Sequence, residues 1–248
     1  MKKRLLILGG TGDAAELAVR ASQIPDIEVI SSLAGRTQQP SAPTGTVRIG
    51  GFGGTAGLVA YLFDRAIDLL IDATHPFADR ISFNAAAATT ECKLPHLMLA
   101  RPAWNRVEGD RWIEVESHEA AAKALSQQSK RVFLTIGRQE LAAFAGLESI
   151  WFLMRAIDPP ALNTPVPNGQ LLLAKGPFSL ENERELLREY QIDTIVSKNS
   201  GGDATYAKII AARELAIPVV MVQRPPRPAV EQVADVEGAI DWLIQQLN

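Results

Sequence analysis

Short apolar runs alternate with amphipathic stretches along the chain, the pattern of strands covered by helices. The runs predict strands over 5–8, 28–32, 47–49, 69–72, 96–99, 112–115, 132–135, 150–154, 171–174, 194–197 and 219–222. Amphipathic segments between them predict helices over 13–22, 55–63, 78–90, 118–126, 180–189 and 204–215, with a closing helix over 239–247. Leu69-Leu70-Ile71 is apolar on both faces, as a parallel strand covered by helices on either side must be. The fold class is therefore α/β with mainly parallel sheets. A change of character after Arg101-Pro102-Ala103-Trp104 divides the chain into two Rossmann-like halves, 1–103 and 104–248, each with its own glycine loop.

In open α/β sheets ligands bind outside the carboxyl ends of strands. Four such ends carry small or polar residues: Gly9-Gly10-Thr11-Gly12, Asp72-Ala73-Thr74-His75-Pro76, Thr135-Ile136-Gly137-Arg138 and Ser197-Lys198-Asn199-Ser200-Gly201-Gly202. Gly10-Thr11-Gly12-Asp13-Ala14-Ala15 fits G-x-G-x-x-[GA] between a strand and a helix. Glycine lets the backbone approach a pyrophosphate, and the helix N-terminus offers it N–H groups and a positive dipole end. The alternative is a glycine turn that merely links strand to helix. An NAD site usually has Asp or Glu at the end of the second strand. Here that end reads Ser31-Ser32-Leu33-Ala34-Gly35-Arg36-Thr37. Arg36 and Thr37 suit the 2′-phosphate of NADP, with a solvated loop arginine as the alternative. Gly50-Gly51-Phe52-Gly53-Gly54 brings more bare backbone to a strand–helix turn, read either as cofactor contact or as a loop without contacts. His75 can orient a nicotinamide or substrate, donate a proton, or cap its turn against Phe77.

In the second half, Lys198 to Gly202 with Thr205 and Lys208 on the next helix resembles an anion site, and Gly137-Arg138 forms a shorter turn of the same kind. Loop caps and turn formers are the alternative reading of those residues. His96 reads as a structural residue in an apolar strand, and His118 as an exposed helix start. The P-loop spacing, a G-x-S-x-G elbow, H-E-x-x-H and a Tyr-x-x-x-Lys pair are all missing from the sequence; Ile210 stands four places after Tyr206.

Composition narrows the partners. With 25 basic and 28 acidic residues the formal charge is −3, which disfavours nucleic acid and anionic membranes. The 47% hydrophobic content excludes disorder. Cys92 is the one cysteine, so no internal disulfide or thiolate metal cluster forms, and a reducing cytoplasm is expected. Lys2 to Arg4 precede only four apolar residues, too few for a signal peptide, and no run is long enough for a membrane span.

The blocks Gly9-Gly10-Thr11-Gly12, Ser32-Leu33-Ala34-Gly35-Arg36-Thr37, Arg48-Ile49-Gly50-Gly51-Phe52-Gly53-Gly54, Asp72-Ala73-Thr74-His75-Pro76-Phe77-Ala78 and Lys198-Asn199-Ser200-Gly201-Gly202 resemble the precorrin-6A reductase family of cobalamin biosynthesis. The resemblance runs over essentially the whole chain in the same order. It implies two Rossmann-like domains facing a central cleft, 1–103 binding NADPH and 104–248 binding the tetrapyrrole. It also implies reduction of precorrin-6A, or its cobalt form, to the 6B form without a metal cofactor. Cofactor contacts are then expected from Gly9, Gly10, Thr11, Gly12, Asp13, Ser32, Ala34, Gly35, Arg36, Thr37, Gly53, Thr74 and His75. Substrate contacts are expected from Gly137, Arg138, Lys198, Asn199, Ser200, Gly201, Gly202 and Thr205. His75 is the only catalytic candidate. Neighbouring pathway enzymes are expected as transient partners. Competing readings are an NADP-dependent reductase of another conjugated or imine substrate and a non-catalytic NADP sensor.

Overall fold

The computed structural model describes residues 2–35, 45–125 and 129–247. The first strand, β1 (Lys3–Leu8), is the centre of a six-stranded parallel sheet. It pairs with β2 (Ile27–Leu33) on one side and β4 (Leu69–Asp72) on the other. β3 (Thr46–Ile49) flanks β2, and β5 (His96–Leu99) flanks β4. Alternate β1 residues serve opposite faces, as the two-residue period requires. Leu5 and Ile7 pack beneath α1 (Gly12–Ala21) and α7 (Val236–Leu247). Leu6 and Leu8 pack beneath α2 (Gly54–Asp64) and α3 (Asp79–Cys92). On α1 the buried residues Ala14, Leu17, Ala18 and Ala21 follow the i, i+3, i+4, i+7 spacing of one apolar stripe.

The second sheet is also parallel and six-stranded. It comprises β6 (Trp112–Val115), β7 (Arg131–Thr135), β8 (Trp151–Ala156), β9 (Gly169–Leu173), β10 (Thr194–Lys198) and β11 (Val219–Val222). Phe133, Leu153, Ile195 and Met221 form its core with Leu187 of α5 (Leu180–Glu189) and Ile209 of α6 (Ala207–Glu214). The remaining helix, α4 (His118–Ala124), is capped by Ser117, whose hydroxyl accepts from the Ala120 N–H at 3.1 Å.

The expected division at 103/104 needs correcting at the C-terminus. The chain forms two compact units, Met1–Pro102 with Pro225–Asn248, and Ala103–Arg224. The last segment returns to the first sheet, where β12 (Glu231–Val233) pairs in parallel with β5. Without it β5 would present an unpaired edge. The apolar stripe of α7, including Ile240, Trp242 and Leu243, shares a core with Leu17 and Ala21 of α1, and Arg20 pairs with Glu237 at 2.6 Å.

The first sheet thus runs β3-β2-β1-β4-β5-β12, the dinucleotide-binding order 3-2-1-4-5-6. The second runs β9-β8-β7-β10-β11-β6, the same spatial order with its sixth place filled by the strand that comes first in sequence. Strand order reverses between β1 and β4 in one unit and between β7 and β10 in the other. The four polar turns singled out from the sequence lie at those two reversals.

Candidate functional site

The β1–α1 turn is built to leave its backbone bare. Gly10 has φ +110°, a region costly for any other residue, and a Cβ at Gly10 or Gly12 would meet no atom within 4 Å. At Gly9 a Cβ would come to 3.3 Å from that of Ala14, so this glycine serves strand–helix packing. The Thr11 hydroxyl accepts from the Ala14 N–H at 3.1 Å and donates to the Ala73 carbonyl at 2.8 Å. Its side chain therefore caps α1 and ties the turn to the end of β4, leaving only backbone for a ligand. Asp13 pairs with Arg101 at 2.9 Å. That pairing offsets a carboxylate that would otherwise repel an anion at the helix N-terminus. Arg101, at the end of the strand next to β4, had no sequence signal for this role.

The second glycine turn is held rather than loose. Arg48 donates to the carbonyls of Gly50 and Gly51, the latter at 2.8 Å, and its guanidinium lies 3.7 Å above the Phe52 ring. A Cβ at Gly57 would sit 1.7 Å from the Phe52 carbonyl oxygen, so the absence of one lets the turn dock on α2. Cβ atoms at Gly50, Gly51, Gly53 and Gly54 would all project into open space. This is a second cradle beside the first, held by a cation that sequence reasoning passed over. Ser32, expected at the cofactor, is buried and its hydroxyl accepts from Arg48 at 3.3 Å. Ala34 and Gly35 are exposed at the end of β2, while Arg36 and Thr37 lie outside the described residues.

At the end of β4 the Asp72 carboxyl is 1% exposed. Its Oδ1 accepts from the Thr74 N–H at 3.0 Å and from the Thr74 hydroxyl at 2.6 Å. Its Oδ2 is buried and has no hydrogen-bond partner among the described residues. The Thr74 hydroxyl is thereby committed to Asp72. His75 Nδ1 accepts from the Phe77 N–H at 3.2 Å, which realises the turn-capping reading and leaves the proton on Nε2. His75 also lines a pocket with Asp72, Thr74, Asp79, Ser82 and Arg227. Arg227 reaches this pocket only because the C-terminal segment belongs to the first unit.

In the second unit, β7 and β10 are neighbours with Thr135 opposite Ser197, which brings the Gly137-Arg138 and Lys198–Gly202 turns to one sheet edge. A Cβ at Gly137 would meet nothing within 4 Å, and Arg138 donates to the Pro159 carbonyl at 2.8 Å. Asn199 departs from expectation. It is 3% exposed and its amide clamps Trp104 from both sides, accepting from its N–H at 2.8 Å and donating to its carbonyl at 3.0 Å. The Trp104 indole donates to the Gly202 carbonyl at 2.8 Å, and Arg224 donates to the Asn199 and Ser200 carbonyls at 2.8 and 2.9 Å. Asn199 and Gly202 thus shape the loop from inside. Thr205 offers its carbonyl to Lys208 Nζ at 2.9 Å. Lys208 is buried, 4.9 Å from the Trp104 ring, and burial followed by the Arg155 charge brings it down to about 7. It belongs to the interior and not to an exposed anion site.

His118 is also less exposed than its sequence context predicts. Its side chain is 14% exposed, with Nδ1 3.6 Å from Glu140. Burial lowers its pKa, Glu140 and Glu119 act to raise it, and Lys198 acts to lower it. His96 is lowered mainly by burial, against the opposing charge of Asp72. Both folded values therefore lie below the ordinary 6.5, so the unfolded chain takes up protons first as the pH falls. Their contribution to stability is full above about pH 6.5 and is lost as pH drops through the folded values. The thermal midpoint should fall between pH 7.5 and 5, and His96→Gln should fall less steeply. Equal slopes in the two proteins would contradict this assignment.

Among the described residues no group of His, Cys, Asp and Glu could hold a metal ion, and no helix is long and apolar enough to cross a membrane.

The bare β1–α1 glycine turn at the β1/β4 reversal, and an Asp72 oxygen without a partner among the described residues, leave room and an acceptor that a dinucleotide would fit. Comparisons with known proteins agree with an oxidoreductase. The model of the family described as precorrin-6x reductase CbiJ/CobK matches residues 4–244. Precorrin-6A reductase of Rhodococcus erythropolis is 50% identical over 241 residues, 97% of each chain. Cobalt-precorrin-6A reductase of Methanothermobacter thermautotrophicus is 29% identical, over 90% of this chain and 77% of that one. The solved structure of a CobK precorrin-6A reductase superposes with a TM-score of 0.92 at 43% identity, over 98% of this chain and 96% of that one. With its two parallel six-stranded sheets, and with a family match over nearly its whole length, this chain belongs to the precorrin-6x reductases.

Proposed function

We propose that this protein reduces precorrin-6A with NADPH, the first unit binding the dinucleotide and the second the carboxylates of the tetrapyrrole. The observation that carries the cofactor assignment is the open β1–α1 glycine turn at the strand-order reversal of a 3-2-1-4-5-6 sheet, with a second open glycine turn after β3 at the same end of the sheet. When bound there, NADPH supplies the hydride. The chain's own contribution is to hold it: N–H groups at the start of α1 meet the pyrophosphate, with Gly10, Gly12 and Gly53 giving close approach. Arg36 and Thr37 meet the 2′-phosphate, and His75 borders the nicotinamide end. In the second unit Lys198, Arg138 and the backbone of Gly137, Ser200 and Gly201 receive carboxylates, while Asn199 keeps the loop in shape. The higher identity to precorrin-6A reductase, 50% against 29% for a cobalt-precorrin-6A reductase, favours the metal-free substrate. The single cysteine and this pathway suit the cytoplasm.

Mixing the protein with precorrin-6A and NADPH should give dinucleotide oxidation in step with the change in tetrapyrrole absorbance, and faster than with the cobalt form. Dinucleotide binding without turnover would point to a sensor instead. Arg36→Ala should weaken NADPH by roughly ten- to a hundredfold and leave NADH nearly unchanged, as loss of a charge-assisted contact requires. Equal loss for both dinucleotides would reject the 2′-phosphate role.

A further inference from the structure

We propose that Asp72 holds the nicotinamide end of the dinucleotide, its Oδ2 accepting a hydrogen bond from the ring's carboxamide N–H. This rests on the cofactor assignment above and adds to it a residue that fixes which way the ring lies.

Asp72 ends β4 directly opposite Leu8, the last residue of β1, so it stands at the reversal of strand order. The 2′-phosphate side of such a site lies at the end of β2, which leaves the opposite half, over β4 and β5, for the nicotinamide. The carboxyl group is oriented before any ligand arrives, because both donors on Thr74 hold Oδ1. Its other oxygen is buried without a donor among the described residues, although buried polar atoms are almost always paired. Asp72 also lines the His75 pocket, so a ligand group entering there meets this residue. A carboxylate oxygen accepts, so a partner for Oδ2 brings an N–H or O–H. At the nicotinamide ring the carboxamide is the one group that carries N–H. Its carbonyl remains for a donor, and His75 lines the same pocket.

The test compares affinities. NADP⁺ and its 3-acetylpyridine analogue, in which a methyl ketone replaces the carboxamide, are titrated against the wild-type protein and Asp72→Asn. A third titration uses 2′-phospho-ADP-ribose, which lacks the ring. The wild type should bind NADP⁺ about 10- to 100-fold more tightly than the acetyl analogue, the effect of one charge-assisted hydrogen bond. Asp72→Asn should lose that preference while holding 2′-phospho-ADP-ribose as before. Equal affinity of the wild type for the two dinucleotides would overturn the proposal with no substitution needed. Full preference retained by Asp72→Asn would overturn it as well. If the wild type bound none of the three ligands, the cofactor assignment itself would fall.

Discussion

Gly12→Val should abolish NADPH binding, weakening it by more than about 100-fold, while leaving thermal unfolding within a few degrees of the wild type. Gly12 opens α1, has no left-handed φ, and would carry a Cβ into space where, beyond its own neighbours and helix backbone, no atom of the described residues lies within 4 Å. Valine therefore enters without backbone strain, and by helix propensity it is no worse than the glycine it replaces, better by only a few tenths of a kcal/mol. Its methyl groups then stand in front of the first-turn N–H groups, where a pyrophosphate must sit to use the helix dipole. Gly10 makes a poorer test, because its φ of +110° would strain any side chain and confuse folding with binding. Fluorescence titration with NADPH beside a melting curve checks the expectation. Unchanged affinity in Gly12→Val would move the dinucleotide away from α1.

Glu183→Ala should be the most damaging single change to stability in the second unit, about 3–5 kcal/mol. Arg155 and Glu183 are 8% and 1% exposed and pair at 2.5 and 3.2 Å. The guanidinium also lies 3.7 Å above Phe178 and 4.8 Å from Phe133. Removing the carboxylate leaves a buried cation without its counter-charge, close enough to Lys208 for the two charges to repel. Replacing both partners with apolar residues removes the charge along with its partner. Arg155→Met combined with Glu183→Leu should therefore recover most of the loss. Urea unfolding of the three proteins distinguishes the cases. If the double variant were no more stable than Glu183→Ala, the ion pair would be worth more than its desolvation.

Much of this architecture was legible in the chain because the signals are local. Leu5-Leu6-Ile7-Leu8 and Leu69-Leu70-Ile71 read as doubly buried strands, and the helices between them carry clear apolar stripes. The destination of the last 24 residues was not legible. β12 is Glu-Gln-Val, with one apolar residue, and its place is set by pairing with a strand far away in sequence. The stripe of α7 is plain in the sequence, but nothing local says which sheet it covers. The 3-10 helix Arg138–Phe144 gave no separate signal either. Among site residues, the glycine turns could be read from type and position because only glycine leaves such space. Polar residues were harder. Ser32 and Asn199 look the same in sequence whether they face a ligand or clamp Arg48 and Trp104. Asp72 shows the reverse. It lay inside a motif in which Thr74 and His75 drew attention, and its importance emerges only when each carboxylate oxygen is matched to a donor.

In the proposed reaction hydride passes from NADPH, held by the first unit, to precorrin-6A. A single turnover with NADPH deuterated on each face of C4 in turn tests it directly, with mass spectrometry of the tetrapyrrole. One of the two labelled forms should deliver a single deuterium to the macrocycle, with one NADP⁺ formed per product. Reduced product carrying no deuterium from either form would contradict the account.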